Sequence, residues 1–391
     1  FEVSNVCTND ITIFKNLSET DEATSTIIAQ TWDFGDGNTS PDFEPTYNYG
    51  SFGVYNVSLT VETDRGCFDT YTMPVAILPS TTIPVSSAYQ EGFESIGTSG
   101  WQQGALPTSD TSWIQGPPNG TVISSASEGV NAWWTGANAG AHYNTESSFV
   151  DGPCFDLSAL QRPMISLDTW RNAQEGFDGA VVQYSTDGGF TWIAIGEVNQ
   201  GIDWFNTANI NSRPGGDQNG WSGNSDGWLT SRYALDQIPL ADRNQVRIRV
   251  AFGSNEDNPS NEELNGFAFD NVLIKDRERV VAVENFTSST NSGYDQVKDQ
   301  MLSFENQRPG DFIYMNYHIP QPGADQPYND NKDQPVTRAN SYGISQTINS
   351  VVDGNQYFGE ALGWGLPLMD SRALVDPQFD IDVQILPSAG D

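Results

Sequence analysis

Residues 32–41 run Trp32-Asp33-Phe34-Gly35-Asp36-Gly37-Asn38-Thr39-Ser40-Pro41, and residues 45–57 run Pro45-Thr46-Tyr47-Asn48-Tyr49-Gly50-Ser51-Phe52-Gly53-Val54-Tyr55-Asn56-Val57. A bulky β-forming run meets an Asp-Gly turn, which is a hairpin signal. Pro45, Tyr49, Gly53, Tyr55 and Val57 follow at the spacing of a second hairpin. Asp36-Gly37 reads as the turn and Asp33 as an Asx-type acceptor. The alternative, spaced oxygen ligands Asp33, Asp36 and Asn38 around a cation, is the weaker reading. The stretch belongs to a small β-sandwich, and it sets the reading of everything around it.

Outward from that stretch, the composition fits ordered, turn-rich β-structure: 37 glycines, 12% aromatics and only 17% charged residues among 391. A chain of this length accommodates two to four domains. Net charge is −34, from 17 basic against 51 acidic residues. That excludes nucleic acid, whose phosphates need Lys and Arg, and disfavours an anionic membrane surface. It favours solubility and hard divalent cations. No run of about 18 apolar residues is present, so direct membrane insertion is not expected. Phe1–Val6 already reads as a strand with no signal-peptide pattern, and Phe379–Ile385 alternates like a strand and stops. The chain is expected to be an internal piece of a longer protein.

Short strands over Ile11–Phe14, Val54–Glu62 and Tyr71–Leu78 give a first domain over 1–79, and the Ser/Thr/Pro-rich stretch 79–87 reads as a linker. Together, the Trp32–Gly37 turn and the aromatic hairpin after it resemble the PKD domain, an immunoglobulin-like sandwich of extracellular proteins. That resemblance implies a Cys7–Cys67 disulfide. Two unpaired thiols are the alternative. Cys154, in Pro153-Cys154-Phe155, reads as a small apolar core residue.

Residues 80–276 show strands at Val181–Ser185, Trp192–Ile195, Val246–Phe252 and Ala268–Ile274, with a Thr186–Gly189 hairpin turn and no sustained helical period. This pattern suits one antiparallel jelly roll. Gly92-Phe93-Glu94, Cys154–Ser158, Gly179–Trp192, Val246–Phe252 and Gly266–Val272 stand in the order of the MAM-like jelly-roll domains of Bacteroidota surface proteins and secreted proteases, which they resemble. The resemblance implies that Glu94 and Asp270 meet at one edge, where Ca²⁺ could tie the terminal strands. The alternative gives Glu94 a turn to cap and Asp270 backbone donors to accept. Among eleven tryptophans, Trp204 and Trp221 lie in the Gly/Asn-rich stretch 199–227 and could stack on sugar rings, although aromatics more often fill a sandwich core.

Residues 277–391 alternate strand (280–287), helix (294–307), strand (311–318) and helix (333–342), an order that implies a parallel-sheet α/β unit. Glu284-Asn285-Phe286-Thr287, Tyr317-His318 and Asp353-Gly354 resemble a thioredoxin-like family of Bacteroidota outer-membrane and secreted proteins. In that family a Cys-x-x-Cys follows the first strand and a cis-proline precedes the Asp-Gly turn. Asn291 and Tyr294 stand at the two cysteine places and Ile348 at the proline place. Thiol exchange needs a thiolate, which Asn and Tyr cannot supply, so the activity is expected to be lost. No His-Glu-x-x-His or Gly-x-Ser-x-Gly is present, and the chain has only His142 and His318.

The expected architecture is mostly β: an immunoglobulin-like PKD sandwich, an antiparallel jelly roll, then an α/β thioredoxin-like domain that continues past residue 391. The expected role is non-catalytic: a cell-surface adhesin or structural module of a Bacteroidota-type bacterium, reached by type IX secretion. Its partners would be other surface or secretion-system proteins, and glycans. The alternatives are an accessory region of a larger secreted hydrolase and a carbohydrate-binding module.

Overall fold

The computed structural model describes residues 1–4, 6–8, 10–20, 25–256 and 264–378. The strand expected over 379–385 lies outside them. The protein is mostly β and divides after Asp276 into two compact units, Phe1–Asp276 and Arg277–Asp391.

The first unit begins with a small sandwich. One sheet orders Glu2–Ser4, Thr12–Lys15 and Thr46–Tyr47, and the other orders Thr39–Ser40, Ile27–Asp33, Gly53–Thr63 and Phe68–Ile77. Alternation along the strands sends Phe14, Trp32, Val57, Leu59, Val75 and Ile77 into one core with Phe34 and Tyr49. The opening motif is the corner of that core. Asp33 Oδ1 accepts from Gly35 N at 2.9 Å and Asp36 Oδ1 from Asn38 N at 3.0 Å, so both aspartates act as turn acceptors. Gly35 sits at φ 79°, and a Cβ there would lie 2.7 Å from the Asn56 carbonyl oxygen, which only glycine avoids.

A second, larger sandwich follows. Its first sheet orders Gln102–Ala105, Ser147–Asp156, Val246–Gly253, Gly179–Ser185 and Ile193–Ala194. Its second orders Trp113–Gly116, Ala132–Thr135, Gly266–Asp276, Pro163–Asn172 and Leu229–Ala234, with Tyr89–Glu91 alongside Val272–Ile274. Phe155, Ile165, Leu167, Val182, Ile248, Val250, Phe269 and Val272 belong to the core of this sandwich. The pairings within it are antiparallel with one exception, as a jelly roll requires.

That exception corrects the linker reading. Ser80–Thr82 is a strand paired in parallel with Cys154–Asp156. The disulfide is also different from the one the resemblance implied. Cys7 is bonded to Cys154, with Cα atoms 5.9 Å apart, while Cys67 is an exposed free thiol in the turn between Gly53–Thr63 and Phe68–Ile77. Cys154 is therefore half of a covalent tie between the two sandwiches and not a bare core residue. Its neighbour Leu78, itself buried, bridges Cys7.

The second unit carries a four-stranded sheet in the order Phe312–His318, Val281–Thr287, Asn349–Val352, Tyr357–Glu360. Helices cover Tyr294–Gln307, Gln326–Asp330, Asp333–Ser341 and Leu366–Ala373. Val297, Met301 and Phe304 recur at helical spacing and bury one stripe of the first helix. The sheet is mixed, not wholly parallel. Val281–Thr287 and Phe312–His318 run parallel, but the last two strands are antiparallel because Asp353-Gly354 turns the chain straight back on itself. The order is a βαβ unit followed by a ββα hairpin-helix unit.

Candidate functional site

The jelly roll's first sheet turns a polar, aromatic face away from the core, and residues 212–217 cover part of it. Along Val246–Gly253 the alternation buries Val246, Ile248 and Val250 and turns Arg247 and Arg249 to the other side. Register places Asp151, Arg249 and Gln183 in one row across three strands, with Phe149, Ala251 and Val181 in a neighbouring row. The Arg249 guanidinium carbon lies 4.2 Å from the centre of the Trp192 ring and 5.1 Å from that of Phe149. Its Nε donates to Gln183 Oε1 at 2.8 Å. Gln183 is held in turn by donating to Asp217 Oδ2 at 2.7 Å and to the Gly215 carbonyl at 3.1 Å.

Arg247 is buried and donates to Asp151 Oδ2 at 2.8 Å and to the Gly188 carbonyl at 3.1 Å. Gly189, at φ 100°, keeps this contact open, because a Cβ there would sit 2.3 Å from Arg247 Nη1. Burial pushes the Asp151 carboxyl upward, against the pull of Arg247 and Arg249. Burial also brings Arg249 down to about 10, with Asp151 opposing. Two buried atoms here, Asp151 Oδ1 and Arg247 Nε, have no hydrogen-bond partner. This row was not singled out from the sequence. The signal was Arg247 and Arg249 two apart on one strand face of a chain with only 17 basic residues.

The structure brings Glu94 and Asp270 to one loop, but as backbone anchors. Glu94 Oε1 accepts from Val130 N at 2.9 Å and Asn131 N at 3.0 Å. Those bonds, Asn131's first, hold its carboxyl below the ordinary value. Asp270 is fully buried; its Oδ2 accepts from Ser127 N at 3.0 Å and Glu128 N at 3.3 Å, and its Oδ1 from Asn271 N at 2.8 Å. Burial raises it to about 6, offset in part by those bonds, and neighbouring Asp168 adds to the rise. Both Asp270 oxygens face N–H donors, and among the described residues no group of three or more His, Cys, Asp or Glu converges as a metal shell. Of the two readings of this pair, the bonds present are those of backbone anchoring, each carboxylate accepting from N–H donors.

Trp204 and Trp221 are 4% and 0% exposed, which removes them as sugar platforms. Trp204 Nε1 donates to the Ile195 carbonyl at 2.6 Å, Trp221 Nε1 to that of Asp203 at 3.1 Å, and Trp221 stacks on Phe267 at 5.5 Å. The Gly- and Asn-rich stretch around them is folded inward by these rings.

In the second unit Asn291 lies beside the Thr347–Ile348 segment, and neither it nor Tyr294 carries a thiol. Asn291 donates to Thr347 Oγ1 at 3.0 Å and accepts from Gly293 N at 2.9 Å, closing the turn before the first helix. Tyr294 opens that helix, its ring 6.0 Å from His318. The Thr347–Ile348 peptide is cis, at the place read as that of the cis-proline. His318 Nδ1 lies 2.6 Å from Asp325 Oδ2, which also accepts from Ser289 N at 2.7 Å. Burial pushes Asp325 up, yet the bonds from Ser289, His318 and Tyr328 win and take it down to about 2.

The fold of the first unit defines a class of tandem β-sandwich modules. Within it, residues 2–77 match the family model of the PKD domain. The chain is 35% identical over 94 residues to the microbial collagenase of Vibrio alginolyticus, a match covering 23% of this chain and 12% of that protein. It is 39% identical over 62 residues to the pre-pro-metalloprotease PrtV of Vibrio cholerae, covering 16% of this chain and 7% of that one. The chain thus spans only a small part of these relatives. Among solved structures, the K1 cleaved adhesin domain of Lys-gingipain from Porphyromonas gingivalis is 16% identical, covering 49% of this chain and 98% of that one, with a TM-score of 0.29.

Proposed function

We infer that this chain is a non-catalytic binding segment of a secreted or cell-surface protein, adhesive or structural in role. The observation that carries it is the outer sheet face of the jelly roll, where Arg249 lies between two aromatic rings with only its Nε engaged. A guanidinium held between aromatic rings suits recognition of a partner group. The test is to immobilise the purified chain and measure retention of cell-envelope polysaccharide alongside insulin reduction and peptide hydrolysis. Retention without turnover is expected, and reductase or hydrolase turnover overturns the reading.

A second reading is the accessory region of a secreted hydrolase. The 35% identity of a 94-residue stretch to a microbial collagenase favours it. Binding of fibrillar collagen by the chain would support this reading over the first.

A further inference from the structure

We propose that the Arg249 slot binds the carboxylate of an acidic sugar, a uronate-type residue of a short saccharide. This rests on the reading of the chain as a binding segment and names the ligand class. A guanidinium has a side edge, Nε with one Nη, and an end edge, Nη1 with Nη2. Gln183 takes Nε, and Trp192 and Phe149 flank the group, so its plane is fixed. Among the described residues nothing is hydrogen-bonded to Nη1 or Nη2. Arg249 is half-buried and neither Nη is among the buried atoms without a partner, so the end edge reaches solvent as a bidentate donor for one carboxylate.

Pre-organisation of this kind normally serves an internal ion pair. Here the two carboxylates whose charges act on Arg249 are otherwise engaged, Asp151 through Oδ2 by Arg247 and Asp217 through Oδ2 by Gln183. The cluster is also incompletely satisfied, with Asp151 Oδ1 and Arg247 Nε orphaned.

The surroundings fit a sugar. Gly104 lacks the side chain that would strike the Phe149 ring, since a Cβ there would come within 2.5 Å of it. The ring accordingly lies across the neighbouring strand and widens the apolar wall. The Trp192 and Phe149 rings that flank Arg249 give apolar surface for the C–H face of a pyranose. Net charge sets the length: with −34 on the chain, each further ligand carboxylate beyond the first meets repulsion, so short oligomers are preferred to polyanions.

The test uses the full chain and trigalacturonate, followed through the Trp192 indole N–H in ¹H–¹⁵N spectra, assigned by its loss in Trp192→Phe. Three comparison probes accompany it: the methyl ester, which keeps the sugar and removes the charge; N-acetylaspartate, which keeps a carboxylate and removes the sugar; and polygalacturonate. The expected result is saturable binding of trigalacturonate, weaker by at least about tenfold for the methyl ester and for Arg249→Gln. Arg249→Lys keeps the charge and loses the fork, and is expected to fall between. Thermal melts establish that each variant is folded, and Phe149→Leu gives a milder loss if Arg249→Gln is not. No shift at about 10 mM trigalacturonate, far weaker than a bidentate pair supports, overturns the proposal. So does equal binding of the ester, or equal binding of N-acetylaspartate. If envelope polysaccharide is still retained in those cases, the acidic-sugar ligand falls and the binding-segment reading stands. If nothing is retained, both fall.

Discussion

Asp270 is a buried carboxylate held by three backbone N–H groups, with Asp168 as its neighbour. Burial wins over the donors and lifts its pKa from 3.8 to about 6. A carboxylate raised on folding holds its proton more tightly in the native state. Its stabilising contribution is therefore full below the unfolded value and is lost as pH rises through about 6. Carboxyl ¹³C titration in a chelating buffer is expected to place its midpoint near 6; a midpoint at the ordinary value of about 4 would refute this. Melts should agree, with Asp270→Asn gaining on the parent protein between about pH 4 and 6, where the parent's unfolded state has ionised and its native state still holds the proton. Tryptophans separate just as sharply. Trp221, 0% exposed and stacked on Phe267, should cost about 3–5 kcal/mol on replacement by Ala in denaturant unfolding, whereas Trp192→Ala should cost far less. At this scale the sequence named the right residue types and often the wrong use. Aspartates of the Trp32–Gly37 motif were legible because an Asx turn is local. The fates of Trp204 and Trp221 were not, because burial is decided by strands distant in sequence.

Elements followed the same division. The helix over Tyr294–Gln307 and the long hairpin strands were legible from their own periodicity. Ser80–Thr82 was not, because Ser and Thr in series read as a linker and its partner lies more than 70 residues away, at Cys154–Asp156. The same distance hid the disulfide, since spacing alone cannot choose among three cysteines. The Cys7–Cys154 bond closes a loop with a separation of 147 residues and anchors the end of one sandwich to a strand of the next. Its loss should destabilise the first unit by about 2–5 kcal/mol. Iodoacetamide on the native, unreduced chain is expected to label one thiol, Cys67, by peptide mass mapping. Cys67→Ser should leave the denaturation midpoint unchanged while Cys7→Ser lowers it. Labelling at Cys154 in the native chain would contradict the pairing.

At the scale of the molecule the two possible cuts differ in what they sever. A cut between residues 79 and 80 passes just before the strand that pairs with Cys154–Asp156, and it takes Cys7 away from its partner. The jelly roll is left with a buried, unpaired thiol. A cut after Asp276 runs between the compact units. Downstream, Val281, Val283, Val297, Met301, Phe304, Phe312, Val352 and Trp364 close a core of their own, and Arg338 pairs with the buried Glu284 through bonds of 2.7 and 2.8 Å. Burial pushes Glu284 up, yet Arg338 and Tyr342 hold it below the ordinary value, so its share of stability is retained above that value and lost as pH falls. A fragment of residues 277–391 is therefore expected to be soluble, to melt cooperatively by calorimetry, and to lose stability on acidification. A fragment of residues 80–276 is expected to melt well below the same sandwich within residues 1–276, and DTT should narrow that gap by weakening only the longer chain. Equal melting of the two, with and without DTT, would mean that the first sandwich and its disulfide contribute nothing to the second.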